Sequence, residues 1–313
     1  MLSLFIVVGL LMFLYLGICW YLSSLILSPE SSLALSKEKI KTEWETSYDA
    51  MIRLLPKPVD FTVNSFDGVP LKGKYFACED SPKCVIIAAH GWTGTWIEML
   101  KYVPVLADCS CDLVFFDHRG HGLSGKAYPT GGINESKDLL AITAWVQKTK
   151  GVEDHKIGWL GSSWGAATVL KAGATGKQVG FIIADAPFQD WYSAIFERAE
   201  RDYGSWTKLV SIGMMKLVNW RTGIDYKKAS PLNATKHITI PILLIHSQMD
   251  NSTNSTQSVN ISKQLNAKSI FHHLTWGGDH TLDVVLYKDK FRKLINDFLR
   301  TFDKQYLGNQ IKK

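Results

Sequence analysis

The sequence predicts an α/β fold: a mostly parallel, eight-stranded sheet with helices on both faces, carrying a short helical lid and preceded by one N-terminal transmembrane helix. Three observations lead there. From Met1 to Pro29 there is no charged side chain, and the run from Leu2 to Leu27 is almost uninterruptedly apolar. From Val59 onward short β-rich runs follow one another, and the later ones alternate with helical segments. The 313 residues are 46% hydrophobic and 20% charged, which excludes a disordered or fibrous chain and supplies ample core.

The N-terminal run exceeds the ~20 residues a helix needs to cross a bilayer. Trp20 and Tyr21 stand near its end, where amphipathic rings favour the headgroup level. A cleaved signal peptide would show a basic start, a shorter apolar stretch and a small-x-small cleavage pattern, and these are missing. Residues 1–29 therefore read as a transmembrane anchor, and 30–58 as a polar, helical connector. Lys37, Lys39 and Lys41 follow the anchor, which by the positive-inside rule keeps the body in the cytoplasm. A single N-terminal helix is also a common way to hold an enzyme outside the cell, so the two arguments point to opposite sides.

The sheet opens with VDFTVNS (59–65) and PLKGKYFA (70–77). Both alternate in polarity and flank the Asp67-Gly68 turn, which predicts an antiparallel hairpin. CVIIAAH (84–90), DLVFFDH (112–118), IGWLG (157–161), GFIIADAP (180–187), IPILLIHS (240–247) and SIFHHLT (269–275) supply the other strands. Helical segments such as 135–150 and 166–176 lie between them. Continuous apolar strands alternating with helices mean a parallel sheet covered on both faces. The body spans 59–305, followed by a tail at 306–313. A long aromatic interval, about 188–235, reads as an amphipathic helical lid over the C-terminal edge of the sheet, where such sheets bind ligands.

Within this frame Gly161-Ser162-Ser163-Trp164-Gly165 follows a strand and precedes a helix. G-x-S-x-G in that setting is a nucleophile elbow, a tight turn that lifts the central serine hydroxyl above the sheet. A serine hydroxyl is a poor nucleophile until a base takes its proton, and that base needs an orienting acid. Asp250 follows the strand IPILLIHS and His280 lies in the glycine-rich WGGDHTL that follows SIFHHLT, giving the order Ser, Asp, His expected on such a sheet. Asp279 and Asp185 are the competing acids, and Asp250 is preferred. His155, His237, His272 and His273 read as structural. The oxyanion of a tetrahedral intermediate needs N–H donors, assigned to Trp164 after the serine and to Trp92 in the HGW loop. His90, at the start of that loop, reads as structural. In the lid, Trp191, Tyr192 and Trp206 are the candidate substrate-binding residues.

Other patterns carry less. Gly120–Lys126 fits the first seven residues of a phosphate-binding loop, but Ala127 stands where a hydroxyl must hold magnesium, so nucleotide binding is rejected. The net charge of +6 is scattered, without a basic patch, and argues against nucleic acid. Five cysteines without repeated spacing read as small hydrophobes rather than a disulfide framework, and no zinc-ligand spacing occurs. Asn-x-Ser/Thr triplets at Asn134, Asn233, Asn251, Asn254 and Asn260 matter only in a glycosylating pathway.

With DHRGHGLSGK, GSSWG, the HGW loop and the late Asp and His, the chain resembles an α/β-hydrolase. It is most similar to bacterial membrane-anchored members related to serine aminopeptidases and to the prolyl-oligopeptidase catalytic domain. The similarity runs from about Val59 to Phe302 and extends to IADAPFQDW, RTGIDYKKASPL and IPILLIHSQMD. The resemblance implies that Ser163 is nucleophile, Asp250 acid and His280 base, with Trp92 and Trp164 as oxyanion donors. It departs at His246-Ser247, where many relatives carry His-Gly, and at NSTNST, where a proline-containing loop is common. The expected activity is cleavage of a carboxylic ester, or of an amide or peptide bond, through an acyl-enzyme. The partners would be a small-molecule or peptide acyl substrate and, through the first helix, a membrane; no metal or other cofactor is expected. The alternatives are a non-catalytic binding module on this fold, or a C–C hydrolase or haloperoxidase.

Overall fold

The computed structural model describes residues 1–78, 84–106 and 109–306. The tail expected at 306–313 lies, from residue 307 on, outside the described residues. Helix α1 (Leu2–Leu27) is one continuous helix, because no proline interrupts it and its interior backbone groups pair within it. Its span Ser3–Leu27 is long and apolar enough to cross a membrane. Side chains from Leu4 to Leu14 are exposed, whereas Cys19, Ser23, Ile26 and Leu27 are buried against the body.

Two short helices follow, each started by a serine. In α2 (Leu33–Glu43) Ser32 Oγ accepts the Leu35 N–H, and in α3 (Tyr48–Ile52) Ser47 Oγ accepts that of Ala50. The hairpin is β1 (Val59–Asn64) and β2 (Pro70–Phe76), antiparallel from Val59 opposite Tyr75 to Asn64 opposite Pro70. Gly68 turns it with φ +83°. Next come β3 (Cys84–Ala89), a 3₁₀ turn (Trp96–Tyr102), α4 (Val103–Leu106), β4 (Cys111–Phe116), α5 (Ile133–Lys150), β5 (Ile157–Ser162), α6 (Trp164–Gly173) and β6 (Phe181–Asp185). The lid interval holds α7 (Trp191–Tyr203), α8 (Lys208–Thr222) and α9 (Pro231–Thr235). The chain ends with β7 (Ile242–Ser247), α10 (Thr256–Ser262), β8 (Ile270–Leu274), α11 (Asp283–Leu286) and α12 (Lys288–Tyr306).

The eight strands lie in the order β1-β2-β4-β3-β5-β6-β7-β8, antiparallel at β1/β2 and β2/β4 and parallel from there on. Successive residues of a strand face opposite sides, so the continuous apolar runs feed two cores. Ile86, Ala88, Phe115, Ile183 and Ile245 pack toward the 3₁₀ turn and α12, while Val85, Ile87, Val114, Trp159 and Leu244 pack toward α5 and α6.

A third cluster joins what the sequence keeps far apart. Cys19 and Leu27 of α1 pack with Trp191, Met214, Met215 and Val218 of the lid and with Trp164. Gly213 of α8 admits the anchor closely, since a Cβ there would lie 2.3 Å from Tyr15 Oη. Arg221 Nη1 donates to Ser23 Oγ (2.7 Å) and Ser24 Oγ (2.9 Å), and its guanidinium lies 4.4 Å from the centroid of the Trp20 ring.

One expectation is corrected. Cys84 and Cys111 form a disulfide, with Cα atoms 4.6 Å apart. They are the first partners in the parallel β3/β4 register, a neighbourhood that spacing along the chain does not reveal.

Candidate active site

Strand β5 ends at Ser162 and α6 begins at Trp164, leaving Ser163 alone to make the turn, with φ 55° and ψ −113°. A non-glycine residue there is strained by ~1–3 kcal/mol and persists because its surroundings fix it. Its N–H donates to Asp185 O (2.8 Å) at the end of β6, and its carbonyl accepts from Ala167 (3.0 Å). Both flanking glycines are obligatory for packing. A Cβ on Gly161 would come within 2.3 Å of Gly165 O, and one on Gly165 within 1.9 Å of Ala89 O in β3.

The loops after β7 and β8 bring two further side chains to this turn. His280 Nε2 lies 2.7 Å from Ser163 Oγ, and His280 Nδ1 lies 2.6 Å from Asp250 Oδ2. Asp250 Oδ1 accepts the backbone N–H groups of Ser252 and Thr253, both at 2.8 Å. Burial alone would raise the pKa of this carboxyl, but hydrogen bonds from His246 and His280 outweigh it and hold Asp250 well below the ordinary carboxylate range. The competing acids are engaged elsewhere. Asp279 Oδ1 accepts the N–H groups of Asn251 (2.9 Å) and His280 (2.7 Å), shaping the loop rather than the ring. Asp185 is buried and accepts from Tyr102 Oη (2.5 Å).

Several supports escaped sequence reasoning. His246, in β7, is fully buried, with Nε2 3.0 Å from Asp250 Oδ2 and Nδ1 2.6 Å from Ser258 Oγ. The signal in the sequence is the histidine four residues before the acid. Lys101 Nζ donates to Thr281 O (3.2 Å) and Oγ1 (2.7 Å), gripping the residue after His280; burial lowers its pKa to about 8. Thr281 has φ 55°. Asp283 Oδ1 accepts the Gly278 N–H (2.5 Å), and burial followed by the charge of Asp185 pushes its pKa to about 7.

The loop after β3 passes over the serine. A Cβ on Gly91 would lie 3.4 Å from Ser163 Cβ. The Trp92 ring meets those of Trp164 (5.3 Å) and Trp191 (5.1 Å) edge to face. Trp164 opens α6, so its N–H is one of the first-turn donors without an intrahelical acceptor, at the positive end of the helix dipole. His90 holds this loop to β4: Nδ1 lies 2.7 Å from Gly91 O, and Nε2 accepts the His118 N–H (3.0 Å). Burial, then the neighbouring His121, lowers its pKa to about 3, so it is neutral. The DHRGHG segment is likewise architectural. Arg119 bridges Asp67 (2.7 Å) to Asp138 (2.6 Å), and the glycines close the loop through Gly120 N–H to Gly125 O (2.8 Å).

A cavity of about 240 Å³ stands over Ser163, lined among others by Trp92, Trp164, Trp191, Ile195 and His280. Of the three lid residues singled out by sequence, Trp191 lines it; Tyr192 and Trp206 do not. Tyr192 turns into the lid, against Phe196 (5.7 Å) and Asn219 (3.3 Å), and Trp206 is half exposed. Both lie on helical faces that point elsewhere. Among the described residues, no group of three His, Cys, Asp or Glu side chains is arranged to hold a metal ion.

Fold and site define a serine hydrolase of the α/β-hydrolase fold. More closely, the chain belongs to the prolyl oligopeptidase family, whose pattern matches residues 102–307. The uncharacterized protein YqkD of Bacillus subtilis (strain 168) is 32% identical over 248 residues, covering 76% of this chain and 78% of its own. Among solved structures, a Pyrococcus furiosus esterase superposes with a TM-score of 0.63 at 20% identity, covering 78% of this chain and 91% of that one. Pyrococcus horikoshii acylaminoacyl peptidase gives 0.61 at 20% identity, covering 82% of this chain and 43% of its own. At such identities these structures speak for the fold alone.

Proposed function

We propose that Ser163, His280 and Asp250 form a catalytic triad that hydrolyses a carboxylic ester through an acyl-enzyme. The observation that carries this reading is the unbroken chain from Ser163 Oγ to His280 (2.7 Å) to Asp250 (2.6 Å), set at a strained elbow under a cavity. His280 takes the Ser163 proton as Oγ bonds to the substrate carbonyl carbon. The N–H groups of Trp92 and Trp164 receive the oxyanion. The carbon–oxygen bond to the leaving alcohol then breaks, and His280 returns the proton to that alcohol. A water, deprotonated by the same imidazole, releases the acid and restores Ser163. Asp250 fixes the tautomer and stabilises the imidazolium.

An ester is favoured over a peptide with a free amino terminus because the carboxylate at the cavity, Glu98, is paired with Lys39 at 3.5 Å. Trp191, which lines the cavity, is the lid residue that contacts substrate in this reading. A binding module without chemistry would not need three side chains in this alignment.

The chain divides, in this reading, into an anchor (1–29), a connector (30–58) and a body (59–305) with its lid at about 188–235. The anchor is retained, since its last turns, Cys19 and Leu27 included, are buried in the lid cluster and cleavage would expose that surface. The Cys84–Cys111 disulfide supports a body held in an oxidising compartment, outside the cytoplasm. Ser163→Ala should abolish turnover of a short-chain p-nitrophenyl ester without lowering the melting temperature; turnover at the wild-type rate would sink the assignment.

A further inference from the structure

Beside the cavity over Ser163 lies a second one, of about 140 Å³, between the anchor and the lid. Its apolar walls come from three elements: Leu22, Leu25 and Ile26 of α1, Ile195 and Ala199 of α7, and Met214 of α8. The two cavities share Trp92, Ile195 and Arg198, so one opens beside the other at the same partition. Nothing in the elbow or the triad requires this space.

We propose that this second cavity is the acyl-chain subsite of the active site, and that the enzyme's substrate is an ester of a medium-chain acid whose tail lies against the anchor helix. The inference rests on the assignment of Ser163 as nucleophile. Its first support is that three polar side chains of the wall, Arg198, Thr207 and Ser211, already have partners within the protein. Arg198 pairs with Asp202 at 3.3 Å, Thr207 Oγ1 donates to Gly204 O (2.8 Å), and Ser211 Oγ donates to Thr207 O (2.7 Å). A ligand there is offered apolar surface and few unpaired donors, which suits a hydrocarbon and leaves a peptide's amides without partners. The second support is size. An apolar cavity of about 150 Å³ accepts a six-carbon ring, so this one takes a chain of about six carbons. The third is position. The partition side chains stand between the serine's cavity and the anchor, so an acyl group bonded to Ser163 that passes Trp92 and Ile195 meets Leu22 and Ile26.

Because α1 supplies one wall, the chain-length preference depends on the anchor as well as on the lid. The test uses the full chain in lipid nanodiscs and a series of p-nitrophenyl esters from acetate to decanoate. With each buried methylene worth up to about fourfold, kcat/KM should rise at least tenfold from acetate to hexanoate and level off by decanoate. Ala199→Trp and Leu25→Trp, which fill the space from the lid side and the anchor side, should each bring the hexanoate-to-acetate ratio down to about one. Acetate turnover measured in the same preparation reports that each variant is folded. If the wild type turns over acetate with no gain along the series, or if both variants keep the wild-type ratio, the subsite is overturned. If the wild type hydrolyses none of the esters, it is the assignment of Ser163 that fails.

Discussion

Asp250→Asn is the substitution whose outcome the geometry determines most sharply. Both carboxylate oxygens of Asp250 face donors: Oδ1 meets the N–H groups of Ser252 and Thr253, and Oδ2 meets ring nitrogens of His246 and His280. An amide must therefore point its NH₂ at one of these pairs. Backbone N–H groups cannot become acceptors, whereas an imidazole can, by moving its proton to the other nitrogen. The Asn oxygen accordingly stays on the backbone side and its NH₂ faces His280 Nδ1, leaving the proton on Nε2. That tautomer cannot accept the Ser163 proton. A wrong-tautomer defect of this kind costs about 10⁴-fold in kcat. The assay is hydrolysis of p-nitrophenyl acetate, with circular dichroism and a melting curve to show that the variant is folded. A kcat within tenfold of wild type in a folded variant would refute the reasoning, because His280 would then not depend on Asp250 for its orientation.

Three further outcomes follow from contacts around the elbow and sheet. Gly165→Ala places a Cβ 1.9 Å from Ala89 O, so β3 must move; the urea midpoint should fall by the equivalent of about 3 kcal/mol or more, and an unchanged midpoint would contradict the close packing. The Cys84–Cys111 bridge closes a loop with a sequence separation of 27, worth about 3.5 kcal/mol on the chain-entropy model. Reduction should lower the melting temperature, and Cys84 and Cys111 should alkylate in denatured protein only after reduction; alkylation without it would remove the bridge. Asp283, with its pKa raised to about 7, is neutral in the folded state at low pH and must ionise in a buried place as pH rises. Its contribution is therefore fully present below the ordinary carboxylate range and lost between about pH 4 and 7, up to about 4 kcal/mol. Asp283→Asn should be more stable than wild type at pH 8 and gain little at pH 4; parallel melting profiles across that range would contradict the shift.

The sequence made Ser163, Asp250 and His280 legible for a physical reason. Each stands just past the C-terminal end of a strand, in a turn whose glycines or polar residues mark it, and a parallel sheet gathers such turns at one edge. The strands of the core were legible because their apolar runs are short and bounded by turn residues. What escaped depends on register and packing between distant segments. Cys84 and Cys111 become neighbours only when β3 and β4 pair in parallel. Lys101 reaches Thr281 because the 3₁₀ turn packs beneath the last loop, which neither segment's pattern announces. The amphipathic face of α8 was visible, but its partner is α1, an element that reads by composition as belonging to the bilayer alone. Aromatic composition marks Tyr192 and Trp206 in the lid but does not reveal helix phase, which turns them away from the cavity.

The central claim is that Ser163 is an activated nucleophile. A fluorophosphonate probe, followed by digestion and mass spectrometry of the full-length protein, tests it directly. A single adduct on Ser163 is expected, with its neighbour Ser162 unmodified, and labelling that vanishes in Ser163→Ala and is strongly slowed in His280→Ala. A folded protein that takes up no probe, or carries it on another serine, would contradict the account.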